Sequence, residues 1–290
     1  MLSQLEARNR LSMRLFIAFF ALLLLAAPLF AWAHQPRVVV SDRVEVNDPE
    51  TSAAYYGDLS GKPSGFVFAA SEEFDLYVGI LVPDIAGART DFTVEVTRDG
   101  EAVASLDGGG HQWVAQHEIY AGDRYLRGPE LERDGAAPGR YEVVVSNSDL
   151  SGKYALVIGE KEVWAMNDVL SALSVIPDLK VDFFGNRTAA GFLFSVFGAL
   201  SFSLSLLAGV TLGFLANRVT NRVFNDVCEP GGIGLRGRLA RLAGGLVLLG
   251  LGLVWWCMAA FAAAGFVLYE AAAGWCWLKA VGRGGEDLGR

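Results

Sequence analysis

Cysteine is scarce in this chain: only three occur among 290 residues, and the first of them is Cys228. The sequence before that point can form no disulfide and no cysteine-based metal site. Any domain there must be held together by its hydrophobic core, and about 150 residues are enough for that. Cys228, Cys257 and Cys276 fall in segments with different predicted environments, so they do not indicate a shared metal site.

Sequence motifs of catalysis are missing as well. The chain has no G-x-S-x-G nucleophile elbow, no H-E-x-x-H metal motif and no dinucleotide-binding G-x-G-x-x-G after a predicted strand. The glycine run at 108–110 is followed by His111 and Gln112 instead of the lysine of a phosphate-binding loop. We therefore predict that the protein is not an enzyme.

Basic residues are few in the part of the chain that reads as a globular domain. Residues 34–190 contain 26 acidic and 13 basic residues, a net charge of −13. Nucleic-acid binding needs a basic surface, so this balance argues against it.

The N-terminal residues have the composition of a secretory signal. Arg8, Arg10 and Arg14 precede an apolar core at 15–30, and Ala-Trp-Ala at 31–33 fits a cleavage site. Cleavage there would leave His34 as the first residue of the mature protein. An uncleaved signal anchor is the alternative, and either interpretation places the following segment outside the cytoplasm.

Short alternating patterns dominate residues 34–160. The clearest has apolar residues at every second position, which is typical of a half-buried strand: Phe74, Leu76, Val78, Ile80 and Val82. Seven or eight such strands, with no helical period before residue 162, predict an antiparallel, jelly-roll-like β-sandwich.

The last two predicted strands carry a family resemblance. The segments GRYEVVV at 139–145 and GKYALV at 152–157 resemble the closing hairpin of bacterial pre-peptidase C-terminal β-sandwich domains. The resemblance implies a secreted accessory module that assists binding or processing and is not itself catalytic.

The segment 107–137 lacks clear alternation, and we interpret it as a long loop. Loops of this length in compact domains are often binding loops. Its aromatic residues Trp113, Tyr120 and Tyr125 are the predicted contacts for a ligand or partner, because aromatic anchors carry much of the energy in such contacts. The alternative is that they cap one end of the sandwich.

The C-terminal part predicts a membrane anchor. Residues 191–216 contain no charge, and neither do residues 242–268, and each segment is long enough to cross a bilayer as a helix. Five arginines between them favour a cytoplasmic loop by the positive-inside rule. The predicted order is a signal peptide at 1–33, the sandwich at 34–160, a juxtamembrane helix and stalk at 161–190, the first span at 191–216, the loop at 217–241, the second span at 242–268 and an extracytoplasmic tail at 269–290.

Small residues recur every fourth position along the first predicted span, at Ser201, Ser205, Gly209 and Gly213. Such a row lets another helix approach closely. It predicts helix packing, either with the second span or with a partner in a membrane complex, of which this chain would be an accessory subunit.

The three histidines, His34, His111 and His117, all precede the predicted spans. A mature N-terminal histidine with one further histidine resembles the copper-binding histidine brace of secreted copper proteins, and imidazole and amine nitrogens suit Cu(II). Copper is therefore an alternative prediction. Acidic residues near turns leave a calcium site open, although none has EF-hand spacing.

These observations lead to one main hypothesis. The protein is a non-catalytic binding module that is anchored in the cytoplasmic membrane, with its β-sandwich in the periplasm or outside the cell. Its expected partners are the lipid bilayer, a protein or glycan ligand, and a possible membrane-protein partner.

Overall fold

The computed structural model describes residues 34–223 and 233–278. The predicted signal peptide, part of the predicted arginine-rich loop and most of the predicted C-terminal tail lie outside these ranges. The chain divides into two compact units. Residues 34–120 and 124–169 belong to the first unit, and residues 121–123 belong with the residues from 170 onward to the second.

The first unit is a β-sandwich, as predicted. In chain order its strands are β1 (Gln35–Val38), β2 (Arg43–Glu45), β3 (Ala53–Ser60), β4 (Ser64–Ala70), β5 (Phe74–Pro83), β6 (Thr93–Arg98), β7 (Glu101–Asp107), β8 (Val114–Glu118), β9 (Asp123–Ala136), β10 (Gly139–Ser146) and β11 (Ser151–Ile158). One sheet has the order β1-β3-β11-β5-β9-β8 and the other β2-β4-β10-β6-β7. Pairing is antiparallel in the interior, but β1–β3 and β2–β4, at one edge of each sheet, are parallel.

The core lies between the two sheets and follows the predicted alternation. Phe74, Leu76, Val78, Ile80 and Val82 of β5 are all buried. Phe68 stacks on Tyr141 with ring centroids 5.2 Å apart, and Phe74 meets Tyr141 edge-on at 5.4 Å. Burial of such large side chains is the main source of stability for a disulfide-free domain.

The two strands that carry the family resemblance are not paired with each other. β10 pairs with β4 and β6, whereas β11 pairs with β3 and β5 in the opposite sheet. The predicted closing hairpin is therefore an arch between the sheets. Asn147 fixes the connecting turn, because its side chain accepts from the Ser151 N–H at 3.0 Å and donates to the Ser151 carbonyl at 2.7 Å.

The predicted loop at 107–137 was the main error in this unit. Most of it forms β8 and the 14-residue strand β9, which pairs with β5. Two register shifts interrupt this pairing, and Gly128-Pro129 lies within β9. Bulges break the period of two on which a sequence-based prediction depends, and this is why the strand was not recognised.

The second unit is helical. It contains most of α1 (Met166–Asp182), a 3₁₀ helix (Ala189–Phe194), α2 (Val196–Val223), α3 (Leu235–Trp255) and α4 (Met258–Ala273). Pro177 lies inside α1, and the helical hydrogen bonding continues past it, with the Phe183 N–H donating to the Leu179 carbonyl at 2.9 Å. Lys180 of α1 is 2% exposed and forms an ion pair with Asp123.

The single span predicted at 242–268 is two helices in the structure. α3 ends where Trp256 adopts a left-handed conformation with φ of 48°, and Cys257 then begins α4. The indole of Trp256 packs on Phe192 and Phe261, with ring centroids 4.7 and 5.3 Å away. The anchored ring holds the turn in place, and α4 returns along α3.

The reversal changes which residues lie at each end of this unit. Arg241 forms an ion pair with Glu270 at 3.0 Å, and Arg238 donates to the carbonyls of Ala271 and Ala272 at 2.8 and 2.9 Å. Glu270 therefore lies at the same end as the arginines. The side of the membrane on which the tail at 269–290 lies stays a prediction.

Glycines set the closest contacts between these helices. A Cβ at Gly209 of α2 would overlap the carbonyl oxygen of Ala262 in α4, and a Cβ at Gly265 of α4 would overlap that of Leu206. Backbones approach this closely only where side chains are missing. The contact between α2 and α4 thus depends on small residues, whereas the two sheets of the sandwich meet through large ones.

Candidate functional site

The N-terminal segment builds a pocket at one edge of the sandwich. β1 pairs with β3 in one sheet, the chain then crosses to pair β2 with β4 in the other, and it returns through residues 46–52. Between these two short edge strands lies a cavity of about 390 Å³, which we call the edge pocket. Its polar lining is Gln35, Arg37, Glu45, Asn47, Asp48 and Thr51, and its less polar lining is Val38, Val44, Ala53 and Tyr55.

A rigid turn forms one wall of the edge pocket. The Asp48 carboxylate accepts hydrogen bonds from the backbone N–H groups of Glu50 and Thr51, at 3.1 and 3.3 Å, and from the Thr51 hydroxyl at 2.7 Å. Burial alone would raise the pKa of Asp48, but these hydrogen bonds outweigh it and lower the pKa below its usual value. The turn is thereby fixed with its carboxylate ionised.

Arg37 supplies the cation of the pocket, and its charge is already compensated. Its Nη2 donates to the Gln35 side chain at 2.6 Å and to the Asp168 carboxylate at 2.8 Å. Gln35 is held in turn by a bond of 2.5 Å to the Val163 carbonyl. Both bonds of Arg37 use one nitrogen, so within the described residues its Nε and Nη1 groups remain available as donors.

Tyr55 reaches the pocket from β3. Its ring lies edge-on to Phe66 with centroids 5.3 Å apart, and the residue is 8% exposed. No residue in the described ranges forms a hydrogen bond with its hydroxyl. Burial raises the pKa of Tyr55, while Arg37 opposes the shift and Asp48 adds to it. This phenol is therefore neutral and close to both charged groups.

Asn47 and Glu45 are further polar residues of the lining whose side chains have no hydrogen bond within the described residues. Both side chains are exposed. Together with Arg37 and Tyr55 they offer donors and acceptors beside the apolar side chains Val38 and Val44. A cavity of this size and mixed lining is suited to a small ligand.

The aromatic residues predicted to bind a partner do not form one exposed surface. Tyr125 is 4% exposed, and its hydroxyl lies 2.8 Å from that of Tyr56. Trp113 packs against the core, donates its Nε1–H to the Gly108 carbonyl at 2.9 Å and covers Gly128. Tyr120 is half-buried beside Glu118, whose carboxylate accepts from the Tyr120 backbone N–H at 2.6 Å. Their packing follows from the strands that replace the predicted loop.

The three histidines are not brought together as one metal site. No group of three metal-ligating side chains occurs in the part of the chain that the structure describes. His34 Nδ1 lies 2.5 Å from the Ser52 hydroxyl, His111 lies edge-on to Trp113, and His117 is exposed on β8. Burial lowers the pKa of His34. Copper binding by His34 with one other histidine stays a prediction.

The row of small residues on α2 is placed against the chain's own helices. Ser201 is buried and donates to the Gly198 carbonyl at 3.1 Å, and Ser205 is half-buried. Gly209 and Gly213 lie against Ala262 and Tyr269 of α4. The helix that packs against Gly209 and Gly213 is therefore α4. The sequence analysis had joined α4 and α3 into one span at 242–268.

Sequence reasoning did not find the edge pocket. The Asn-Asp-Pro segment at 47–49 is typical of a turn, and no sequence motif marks Arg37 or Tyr55 as part of a site. A turn rich in polar residues between two strands was the available signal. It could not show that the two strands join different sheets and leave a cavity between them.

Comparison with known proteins adds a coarse description of the fold. No protein-family model and no curated protein sequence matches the chain. By its own sheets and helices the chain is a β-sandwich followed by an apolar helical unit, and similar solved structures are β-rich domains. They include PliG from Aeromonas hydrophila, a periplasmic inhibitor of g-type lysozyme, which is 16% identical with a TM-score of 0.28 and matches over 43% of this chain and 97% of that one.

Two further structures are similar at the same level. The pre-peptidase C-terminal domain of a Bacillus anthracis collagenase is 13% identical, with a TM-score of 0.24 over 44% of this chain and 96% of that one. The Yersinia pseudotuberculosis-derived mitogen is 17% identical, with a TM-score of 0.25 over 41% and 93%. The predicted resemblance to a pre-peptidase C-terminal domain is confirmed in this sense. Likenesses this distant carry no argument about function.

Proposed function

We propose that the protein is a membrane-anchored, non-catalytic binding protein whose β-sandwich lies outside the cytoplasm and whose edge pocket takes the ligand. The observation that carries the binding function is the edge pocket itself. It combines a cavity of about 390 Å³ with polar groups on Arg37, Asn47 and Tyr55 that are not used inside the described structure. Such a combination is what a small-molecule site requires.

The anchor is supported by the length and surface of the helical unit. Val196–Thr220 has 25 residues and Leu235–Trp255 has 21, which correspond to about 37 and 31 Å of helix. A bilayer core of about 30 Å can be crossed by either. Leu212, Leu246 and Val247 are 58%, 57% and 60% exposed, and lipid is the solvent that suits such an outward apolar surface.

The arginines support an orientation. Arg218, Arg236 and Arg238 are exposed at the end of the unit where α2 finishes and α3 begins. By the positive-inside rule this end is cytoplasmic. The chain enters α2 from the opposite end, so the sandwich is extracytoplasmic. Because Glu270 meets Arg241, the residues that follow α4 start from the cytoplasmic side, which revises the predicted extracytoplasmic tail.

A test of the binding function is to fill the edge pocket. Asn47→Trp places an indole at an exposed position of the lining, and Asn167→Trp is the matched change outside the pocket, at another exposed asparagine. The full chain in detergent is screened by thermal shift against a library of small polar metabolites. We expect compounds that raise the melting temperature of the wild type and of Asn167→Trp but not of Asn47→Trp. If no compound separates Asn47→Trp from the other two proteins, the edge pocket is not the binding site.

A further inference from the structure

The charge balance of the edge pocket indicates the class of its ligand. Arg37 is the cation of the lining, and Glu45 and Asp48 are its anions. Arg37 is paired with Asp168, and the Asp48 carboxylate is held by three hydrogen bonds of its own turn. An anionic ligand would meet two carboxylates and a guanidinium that is already neutralised. A cationic ligand would gain only the exposed Glu45 carboxylate, because Asp48 is already held by its own turn, and exposed ion pairs of this kind contribute little.

The groups left available are suited to hydroxyls. Arg37 offers N–H donors, Asn47 offers both a donor and an acceptor, and the Tyr55 phenol can do either. Glu45 adds an acceptor at the rim. An uncharged ligand with several hydroxyls can pair with all of these protein donors and acceptors, because each hydroxyl both donates and accepts a hydrogen bond.

The apolar part of the lining fits the same chemistry. Val38, Val44 and Ala53 line the cavity beside the polar groups. A sugar ring presents C–H groups on its faces and hydroxyls around its edge, so it can use both kinds of surface at once. A cavity of about 390 Å³ has room for one or two rings.

We infer that the edge pocket binds a neutral saccharide of one or two rings. This inference rests on the proposed binding function and gives it a ligand class. Arg37 and Asn47 bind the ring hydroxyls, Tyr55 contributes a hydrogen bond from the floor, and Val38 and Val44 contact the C–H face of the ring.

The test uses the full chain in detergent and isothermal titration with free sugars. The probes are glucose, galactose, N-acetylglucosamine and their disaccharides, with glutarate and cadaverine as charged compounds of similar size. We expect saturable 1:1 binding of at least one neutral sugar and none of the two charged probes. Asn47→Ala and Tyr55→Phe should each weaken that binding about fivefold, since each removes one hydrogen bond of ordinary strength.

Matched variants separate a binding role from a general loss of structure. Asn167→Ala and Tyr77→Phe make the same chemical changes outside the pocket and should bind like the wild type. The ligand class is wrong if glutarate or cadaverine binds and Asn47→Ala weakens it, a result that would leave the proposed binding function standing. Equal sugar affinity in Asn47→Ala, Tyr55→Phe and the wild type would remove the edge pocket as the sugar site. Absence of saturable binding of every neutral sugar to the folded wild type would overturn the inference as well.

Discussion

The two units of this protein differ in how their main elements meet. In the sandwich the closest packing involves large rings, such as Phe68, Phe74 and Tyr141, which fill the space between two sheets. In the helical unit Trp256 also packs on aromatic rings, but the backbones of α2 and α4 meet at glycines, Gly209 and Gly265. Water drives large apolar groups together, whereas helices in lipid gain by close backbone approach. The difference agrees with one unit in water and one in a bilayer.

The largest effect is expected at the buried ion pair between Lys180 of α1 and Asp123. Lys180→Met would remove the buried cation that pairs with the Asp123 carboxylate, and breaking a buried ion pair costs about 3–5 kcal/mol in the free energy of unfolding. Lys62→Met is the control, because Lys62 and Asp42 are 70% and 65% exposed and such pairs contribute about 0–1 kcal/mol. Both are measured by denaturant unfolding in detergent. Equal effects of the two changes would show that Lys180 is not buried.

A second change tests the glycine contacts directly. Gly209→Leu would force α2 away from α4, with an expected loss of about 3 kcal/mol, the upper end of ordinary overpacking costs. Gly250→Leu is the matched change on α3, where an added Cβ meets nothing within 4 Å, and it should leave stability nearly unchanged. The measurement is thermal unfolding of the helical unit in detergent. A Gly209→Leu protein as stable as Gly250→Leu would contradict the close approach of α2 and α4.

A smaller effect is expected from one hydroxyl in the core of the sandwich. The Tyr141 hydroxyl donates to the Ala137 carbonyl at 2.7 Å, and Tyr141→Phe removes that bond while keeping the ring. We expect a loss of about 1 kcal/mol, the net contribution of a single hydrogen bond. Denaturant unfolding followed by the near-ultraviolet signal of the sandwich measures it. A loss as large as that of Gly209→Leu would mean that polar contacts, and not ring packing, determine the stability of this unit.

The smallest effect concerns pH and the turn at the edge pocket. The pKa of Asp48 is lower in the folded chain than in the unfolded chain, so its hydrogen bonds stabilise the fold above its ordinary pKa of about 3.9. That contribution is lost as pH falls through the lower folded value. The stability advantage of the wild type over Asp48→Asn should therefore be present near neutral pH and shrink in acid. An advantage that grows in acid would contradict the hydrogen bonds assigned to this turn.

The sequence predicted the parts of the fold that repeat regularly. Phe74 to Val82 alternate without interruption, and they form β5 with its apolar residues buried as expected. β9 was missed because bulges opposite β5 break its period. The partners of β10 and β11 were also missed, since alternation gives the faces of a strand but not which sheet it joins.

In the helical unit the length of the apolar run misled the prediction. Residues 242–268 contain no charge, and nothing local marks Trp256 as the end of a helix. The turn is stabilised by contacts of its ring with Phe192 and Phe261, which are distant or on the next helix. The edge pocket could not be predicted from the sequence for a similar reason. Its lining residues come together only because β1 and β2 pair with strands of different sheets.

The decisive measurement for the membrane-anchored arrangement is the side of the membrane on which each unit lies. In a chain whose three cysteines are changed to serine, Ser41→Cys places a thiol on the sandwich and Leu278→Cys places one just after α4, both at exposed positions. Intact spheroplasts are treated with a membrane-impermeant maleimide. If the sandwich is extracytoplasmic and α4 ends on the cytoplasmic side, Ser41→Cys is labelled in intact cells and Leu278→Cys only after the membrane is permeabilised. Labelling of Leu278→Cys in intact cells, or protection of Ser41→Cys, would contradict it.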